Sequence, residues 1–274
     1  MKKLTVLLLA CLIFSGKLVA QTTDGSMPGY TKNTNKKRVL IIPFEPKLYI
    51  SDIDNELIKE NELSGQKELR AKMRAALDQN IYLSFNQMYD AFSFYTIPQD
   101  EAIKELSYIY NSIGYKYEPL PKEEHLEKES TGKKLLNKFK KKEQPVDEKK
   151  EGVINGEVVS VSDNQEKYMQ TKISNDNLLP TLNKTYFADY YLFINELDIK
   201  RSVNNAYSVD GQYYKREMKV HYTIFDNAGN IIDSGAVKTL FPPNNNDFNK
   251  IVKTQFMMVA QELLNRFNNH LITN

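Results

Sequence analysis

The spacing of apolar residues changes repeatedly along the chain, and each change marks a predicted element. Val39-Leu40-Ile41-Ile42 is a short continuous apolar run stopped by Pro43, the pattern of a strand buried on both faces. Ser51 stands three residues before Asp54, a capping-box-like start for a helix that carries Ile53, Leu57 and Ile58 within Tyr49 to Leu63. From Gln66 to Met88, Leu69, Met73, Ala76, Leu77, Ile81, Phe85 and Met88 recur every three or four residues. Charged residues occupy the other faces, which predicts a long amphipathic helix. Ala91 to Ile97 alternates and predicts a second strand, and Pro98 then opens a helix with Ala102, Ile103, Leu106, Ile109, Tyr110 and Ile113 inside.

The second half repeats the logic. Val153-Ile154 and Val158 to Val161 flank Asn155-Gly156-Glu157 and suggest a hairpin. Leu178 to Phe187 has helical spacing, with Pro180 tolerated in the first turn. Tyr190 to Ile199 begins as a continuous apolar run and ends in alternation, while Met218, Val220, Tyr222 and Ile224 alternate with Glu217, Lys219, His221 and Thr223. Asn227 to Asn230 turns the chain into Ile231 to Phe241, completing a predicted antiparallel meander of three strands. Pro242 and Pro243 stop it. Asn246 or Asp247 then caps a helix whose inner face carries Phe248, Ile251, Val252, Gln255, Val259, Leu263, Phe267 and Leu271. The predicted class is α+β: a mixed, largely antiparallel sheet with long helices packed against it.

The two ends of the reading frame of order are set by charge. Lys2 and Lys3 precede an apolar run from Leu4 to Phe14, and Leu18-Val19-Ala20 places a small residue before Gln21. This is the layout of a cleaved export signal, so residues 1–20 are expected to be removed and the protein to be periplasmic. Ser15, Gly16 and Lys17 interrupt the run below the roughly 18 to 20 apolar residues a span needs. Leu8-Leu9-Ala10-Cys11 offers lipoprotein processing as an alternative, but the apolar stretch before Cys11 is short, and cleavage after Ala20 is preferred. The mature chain then holds no cysteine, which excludes disulfides and thiolate chemistry. Loss of Lys2, Lys3 and Lys17 lowers the basic count from 37 to 34 against 35 acidic residues, a net charge of −1 that gives no reason to expect nucleic acid.

Residues 21–36 are polar, with Gly25, Pro28 and Gly29, and read as a flexible lead-in. Between Lys116 and Glu151 more than half of the residues are charged and Pro119, Pro121 and Pro145 interrupt the segment. It cannot bury enough surface to offset its ordering entropy, so 116–151 is expected to be a disordered insertion within one domain spanning 37–274.

Several of these features resemble a recurring envelope domain. Arg38-Val39-Leu40-Ile41-Ile42-Pro43-Phe44 opens the fold, the helix near 66–88 leads to the strand at 91–97, and Ala188-Asp189-Tyr190-Tyr191-Leu192-Phe193-Ile194 begins the meander. Its hairpin, Ile224 to Gly235, leads to the closing helix. The arrangement is similar to TolB N-terminal domains, the curli secretion component CsgG and LpoB-type activators of penicillin-binding proteins, over most of residues 37–114 and 176–272. Composition and the Ala-Gln cleavage site also resemble exported proteins of Bacteroidota. The resemblance implies binding and assembly in the envelope without catalysis, and it supplies no active-site residues.

Residues of chemical interest give the same picture. His125, His221 and His270 fall in unlike places, with no His-Glu-x-x-His or His-x-His pair, so no metal site and no cofactor are expected. His221, on the polar side of a strand, reads as a solvated or hydrogen-bonded residue. Nucleophile elbows, P-loops and dinucleotide fingerprints are missing. Asp52, Asp54 and Glu56 lie close together, but helix capping explains them better than calcium. Asp189 with Glu196 and Asp198 could be imagined as a glycosidase pair, yet a structural role on the strand is the simpler reading.

Two surfaces remain. Tyr207, Tyr213 and Tyr214 mark a candidate interface, because tyrosine combines apolar area with a polar tip. Within 132–142, Leu135, Leu136 and Phe139 can share a helical face ringed by lysines that include Lys140 and Lys141, a patch that could touch anionic lipid. A solvated charged linker is the plainer reading of that patch. The expected function is therefore a non-enzymatic module that binds another envelope protein through a sheet edge or the meander surface. The alternative is an exported, carboxylate-dependent hydrolase, which glycosides would suit.

Overall fold

A computed structural model describes residues 35–120, 152–154, 157–159, 166–201 and 215–273. The export signal, most of the lead-in, the basic patch at 132–142 and Tyr207, Tyr213 and Tyr214 lie outside the described residues.

The chain is α+β. Its main sheet is mixed. Strand β1 (Arg38–Ile42) is central, parallel to β3 (Asp90–Ser93) on one side and to β8 (Tyr190–Arg201) on the other. β8 is followed outward by β9 (Arg216–Asp226) and β10 (Ile231–Phe241), both antiparallel, which is the meander. β8 outlasts β1, and its far half is paired in parallel by β2 (Tyr49–Ser51), so Leu197 to Ile199 also have a strand beside them.

Both faces of this sheet are covered, which is why β1 is apolar at every position. Val39 and Ile41 face α1 (Asp54–Glu60), α2 (Gln66–Phe85) and the C-terminal helix; Leu40 and Ile42 face α3 (Gln99–Asn111) and α4 (Leu178–Tyr186). Leu69, Met73, Leu77, Ile81 and Phe85 form the buried stripe of α2, as their spacing predicts. The C-terminal helix starts as α5 (Phe248–Ile251), where Asp247 caps Lys250 N–H at 3.1 Å. It runs through a π-helical turn at Val252–Phe256 into α6 (Met257–Thr273). Phe267 of α6 meets Phe85, Tyr89 and Tyr190 at ring-centroid distances of 5.6, 5.0 and 5.1 Å, joining α2, α6 and the sheet.

The second face carries a separate hairpin-like pair, β4 (Ile113–Pro119) with β7 (Lys167–Ile173), antiparallel along its whole length. A short pair, β5 (Gly152–Ile154) with β6 (Glu157–Val159), forms where the Asn-Gly signal predicts it.

Some expectations are corrected. The charged insertion cannot begin at Lys116, since Lys116 to Pro119 pair with β7 residues. The strand predicted over 91–97 ends at Ser93, whose hydroxyl accepts the Tyr95 N–H at 3.1 Å and bends the chain into a short 3-10 turn. Ser51 lies in β2 and does not cap a helix end; its hydroxyl accepts from Ile53 N–H at 3.2 Å, and α1 begins after Ile53. α2 stops at Phe85, leaving Met88 exposed.

Asp78 is the anomalous residue of the apolar face. It is buried on α2 with Ser93 as its hydrogen-bond donor, and Oδ1 has no partner. Burial pushes its carboxyl from the ordinary 3.8 up to about 7, against the Ser93 bond and the Arg74 charge. The folded state therefore holds this proton more tightly than the unfolded chain, and stability falls as pH rises from about 4 through about 7. Asp78→Asn should remove that dependence. Urea titrations at acidic and neutral pH should show the variant gaining on the wild type by roughly 4 kcal/mol at most, at the neutral end. A second outcome concerns packing: Phe267→Ala should cost about 3 to 5 kcal/mol at unchanged urea m-value, because it empties the centre of the aromatic contact.

Candidate functional site

β8 changes sides halfway. Ile194 is opposite Tyr222 and Glu196 is opposite His221, so Asn195 is an extra residue, a β-bulge. Before it, Leu192 and Ile194 point toward α2 and α6; after it, Leu197 and Ile199 do. The bulge thus keeps apolar residues on the helical face and sends Glu196 and Asp198 to the other, beneath β4 and β7. His221 comes up from β9 between them. Its Nε2 lies 3.5 Å from Glu196 Oε1 and 3.6 Å from Asp198 Oδ2. All three are buried, His221 to 1 % exposure, so of its two readings, solvated or hydrogen-bonded, the second holds.

The covering hairpin is tied down by side chains. β7 uses one edge for β4, and on the other the Met169 N–H donates to His221 Nδ1 at 2.7 Å and the Thr171 N–H to Thr223 Oγ1 at 3.0 Å. Asn195 Nδ2 reaches the Met169 carbonyl at 2.7 Å, and Thr171 Oγ1 donates to Asn195 Oδ1 at 2.6 Å. From β4, the Tyr117 hydroxyl donates to Glu196 Oε2 at 2.7 Å. Lys200 Nζ, at the rim, contacts Asp198 Oδ2 at 3.0 Å.

The two carboxylates are pushed apart electrically. Burial raises Glu196, helped by the Asp198 charge and opposed by the Tyr117 bond. Burial acts on Asp198 in the same sense, but the facing His221 ring and Lys200 outweigh it and hold Asp198 below the ordinary range. Tyr117 is itself raised, by partial burial and by the anionic partner it faces.

Among the described residues, Glu196, Asp198 and His221 are the one trio whose ligand atoms come within 4.8 Å of each other. Their chemistry does not suit a metal. An imidazole that binds through Nε2 carries its proton on Nδ1 and donates it to an acceptor. Here Nδ1 accepts a backbone N–H, which selects the tautomer with the proton on Nε2, pointing at the carboxylates. A cation at the centre would meet that N–H, and Lys200 already supplies positive charge. Dialysis against a chelator should leave the melting temperature unchanged. A saturable rise in melting temperature with one equivalent of zinc would overturn this assignment.

Other candidates do not gather. Asp189, at the start of β8, accepts from Arg38 N–H at 2.7 Å and contacts Lys37. Asp54 accepts from the Tyr49 hydroxyl at 2.8 Å, while Glu56 contacts Arg201. His270 lies 3.3 Å from Asp233.

A second feature adjoins the cluster. β10 pairs with β9 and, among the described strands, with no other, so it forms an edge of the sheet. Beside that edge lies a groove of about 1290 Å³ between β10, α6 and the open end of the β4–β7 pair. Met257 and Met258 are exposed on the helical wall, Lys238 lies on β10, and Leu120 and Glu166 mark the hairpin end. Glu166 fastens that end by ion pairs to Lys219 at 3.1 Å and to Lys238.

No protein-family model, curated protein or solved structure matches this chain. No helix among the described residues is long and apolar enough to cross a membrane.

Proposed function

We propose that this protein is a non-enzymatic module of the cell envelope that binds another envelope protein by adding one of its extended segments to β10. The observation that carries this reading is the eleven-residue edge strand β10, which among the described residues has no strand on its outer side and lies beside a groove whose helical wall exposes Met257 and Met258. An unpaired edge offers backbone donors and acceptors to a second strand, and pockets beside it select side chains. Methionine adapts its shape to irregular apolar partners. The envelope setting is the expectation from residues 1–20 read as an export signal and from the sequence-pattern resemblance to TolB, CsgG and LpoB domains.

The hydrolase reading has one observation in its favour, the pair Glu196 and Asp198 with pKa values displaced in opposite directions. Against it, both carboxylates lie under β4 and β7 with exposures of 2 % and 4 %, so a glycoside would have no approach. Binding is the better use of this architecture.

Affinity purification after crosslinking in intact envelopes tests it. The double variant Met257→Glu, Met258→Glu should fold with stability within about 0.5 kcal/mol of wild type, since both side chains are exposed. It should lose most of the partner recovered by the wild type. Equal recovery would rule out the β10 groove.

A further inference from the structure

The Glu196–Asp198–His221 cluster sits under the wall of the proposed binding groove, and this inference rests on that reading for its biological meaning. We infer that His221 is a proton-operated latch: unprotonated at Nδ1 it ties β7 to the sheet, and protonated there it drops that tie and loosens the groove wall.

The argument is one of donor and acceptor count. Met169 N–H can donate to His221 Nδ1 only while that nitrogen keeps its lone pair. The ring's one proton is on Nε2, so a second proton can go only to Nδ1, the atom that holds the hairpin. Two N–H groups would then face each other at a separation now 2.7 Å.

The charged form would be kept in the protein. Its Nε2–H side faces Glu196 Oε1 and Asp198 Oδ2 on β8, and Asp198, held below the ordinary range, compensates an imidazolium that burial alone would penalise. The ring therefore has two states, one bonded to the hairpin and one paired with β8, and a proton chooses between them.

The remaining groups around the ring do not duplicate the switch. Lys200 of β8 is engaged with Asp198, and Tyr117 of β4 bonds Glu196. Lys219 of β9 and Lys238 of β10 are held by Glu166. Burial opposes ionisation of Glu166, but those two lysines hold its carboxyl below the ordinary range, so its ion pairs persist in mild acid. β7 itself presents the Met169 N–H to the ring. Loss of that bond leaves the middle of β7 tied only through Asn195 and Thr223, and its neighbour Tyr168 also bonds Ser234 of β10, inside the groove.

Amide hydrogen exchange on the full chain reads the latch without any partner. From about pH 7.5 to about pH 5, exchange at Met169 and Thr171 should rise about tenfold relative to β8–β9 amides measured in the same sample. His221→Asn keeps an acceptor at the Nδ1 position for Met169 that does not titrate, and its ratio should stay flat. A flat ratio in the wild type, or the same rise in the variant, overturns the latch. Should the variant fail to fold, nitrogen NMR of the wild-type ring decides: Nδ1 must be unprotonated at neutral pH, and a proton found there overturns the inference. Partner capture is scored separately. Capture lost at both pH values with a responsive hairpin rejects the groove reading alone, while normal capture with an unresponsive hairpin rejects the latch alone.

Discussion

One extra residue in β8 organises this protein. A strand alternates its side chains, so without Asn195 the residues after it would be inverted, with Leu197 and Ile199 facing away from α2 and α6 and two carboxylates driven into the apolar core. The bulge restores the parity. It also places Asn195 itself, fully buried, where its amide serves both the Met169 carbonyl and Thr171. The apolar face and the polar face of the meander are two consequences of the same irregularity.

The β4–β7 pair is held to the sheet by a different kind of force from the helices. Between helices and sheet the contacts are apolar and non-directional, and many residues share the load. Between the β4–β7 pair and the sheet the contacts include directional hydrogen bonds from His221, Thr223, Asn195 and Glu196, with Ser234 and the Glu166 ion pairs toward the groove. Such a polar layer is rigid when every group is satisfied and sensitive when one changes its protonation. That difference puts stability in one half of the sandwich and responsiveness in the other. The groove beside β10 touches both halves, with α6 as its apolar wall and the hairpin end as its adjustable one.

Edge strands are usually protected by charge, brevity or cover. β3 is four residues long, whereas β10 has eleven. β10 carries two charged residues, but Asp233 is engaged by Tyr222 and His270 and Lys238 by Glu166, and Leu240 and Ile231 are exposed along the strand. A long edge of this kind is a standing invitation to pairing.

The sequence by itself determined the apolar architecture. The continuous run of β1, the helical stripe of α2, the alternation of β9 and the inner face of the C-terminal helix are local periodicities, and local periodicity reports which side of an element meets a core. It could not report β7, where buried Gln170 and Thr171 stand among the strand's core positions and the apolar rhythm is lost. Nor could it show that β4 runs on through Lys116 to Pro119, since pairing there is made by backbone. His221 alternates as a polar residue should and still lies buried, because the cover that buries it comes from a strand 52 residues away. The site was decided by tertiary structure alone: a one-residue bulge and a distant hairpin bring together groups whose spacing along the chain carries no signal.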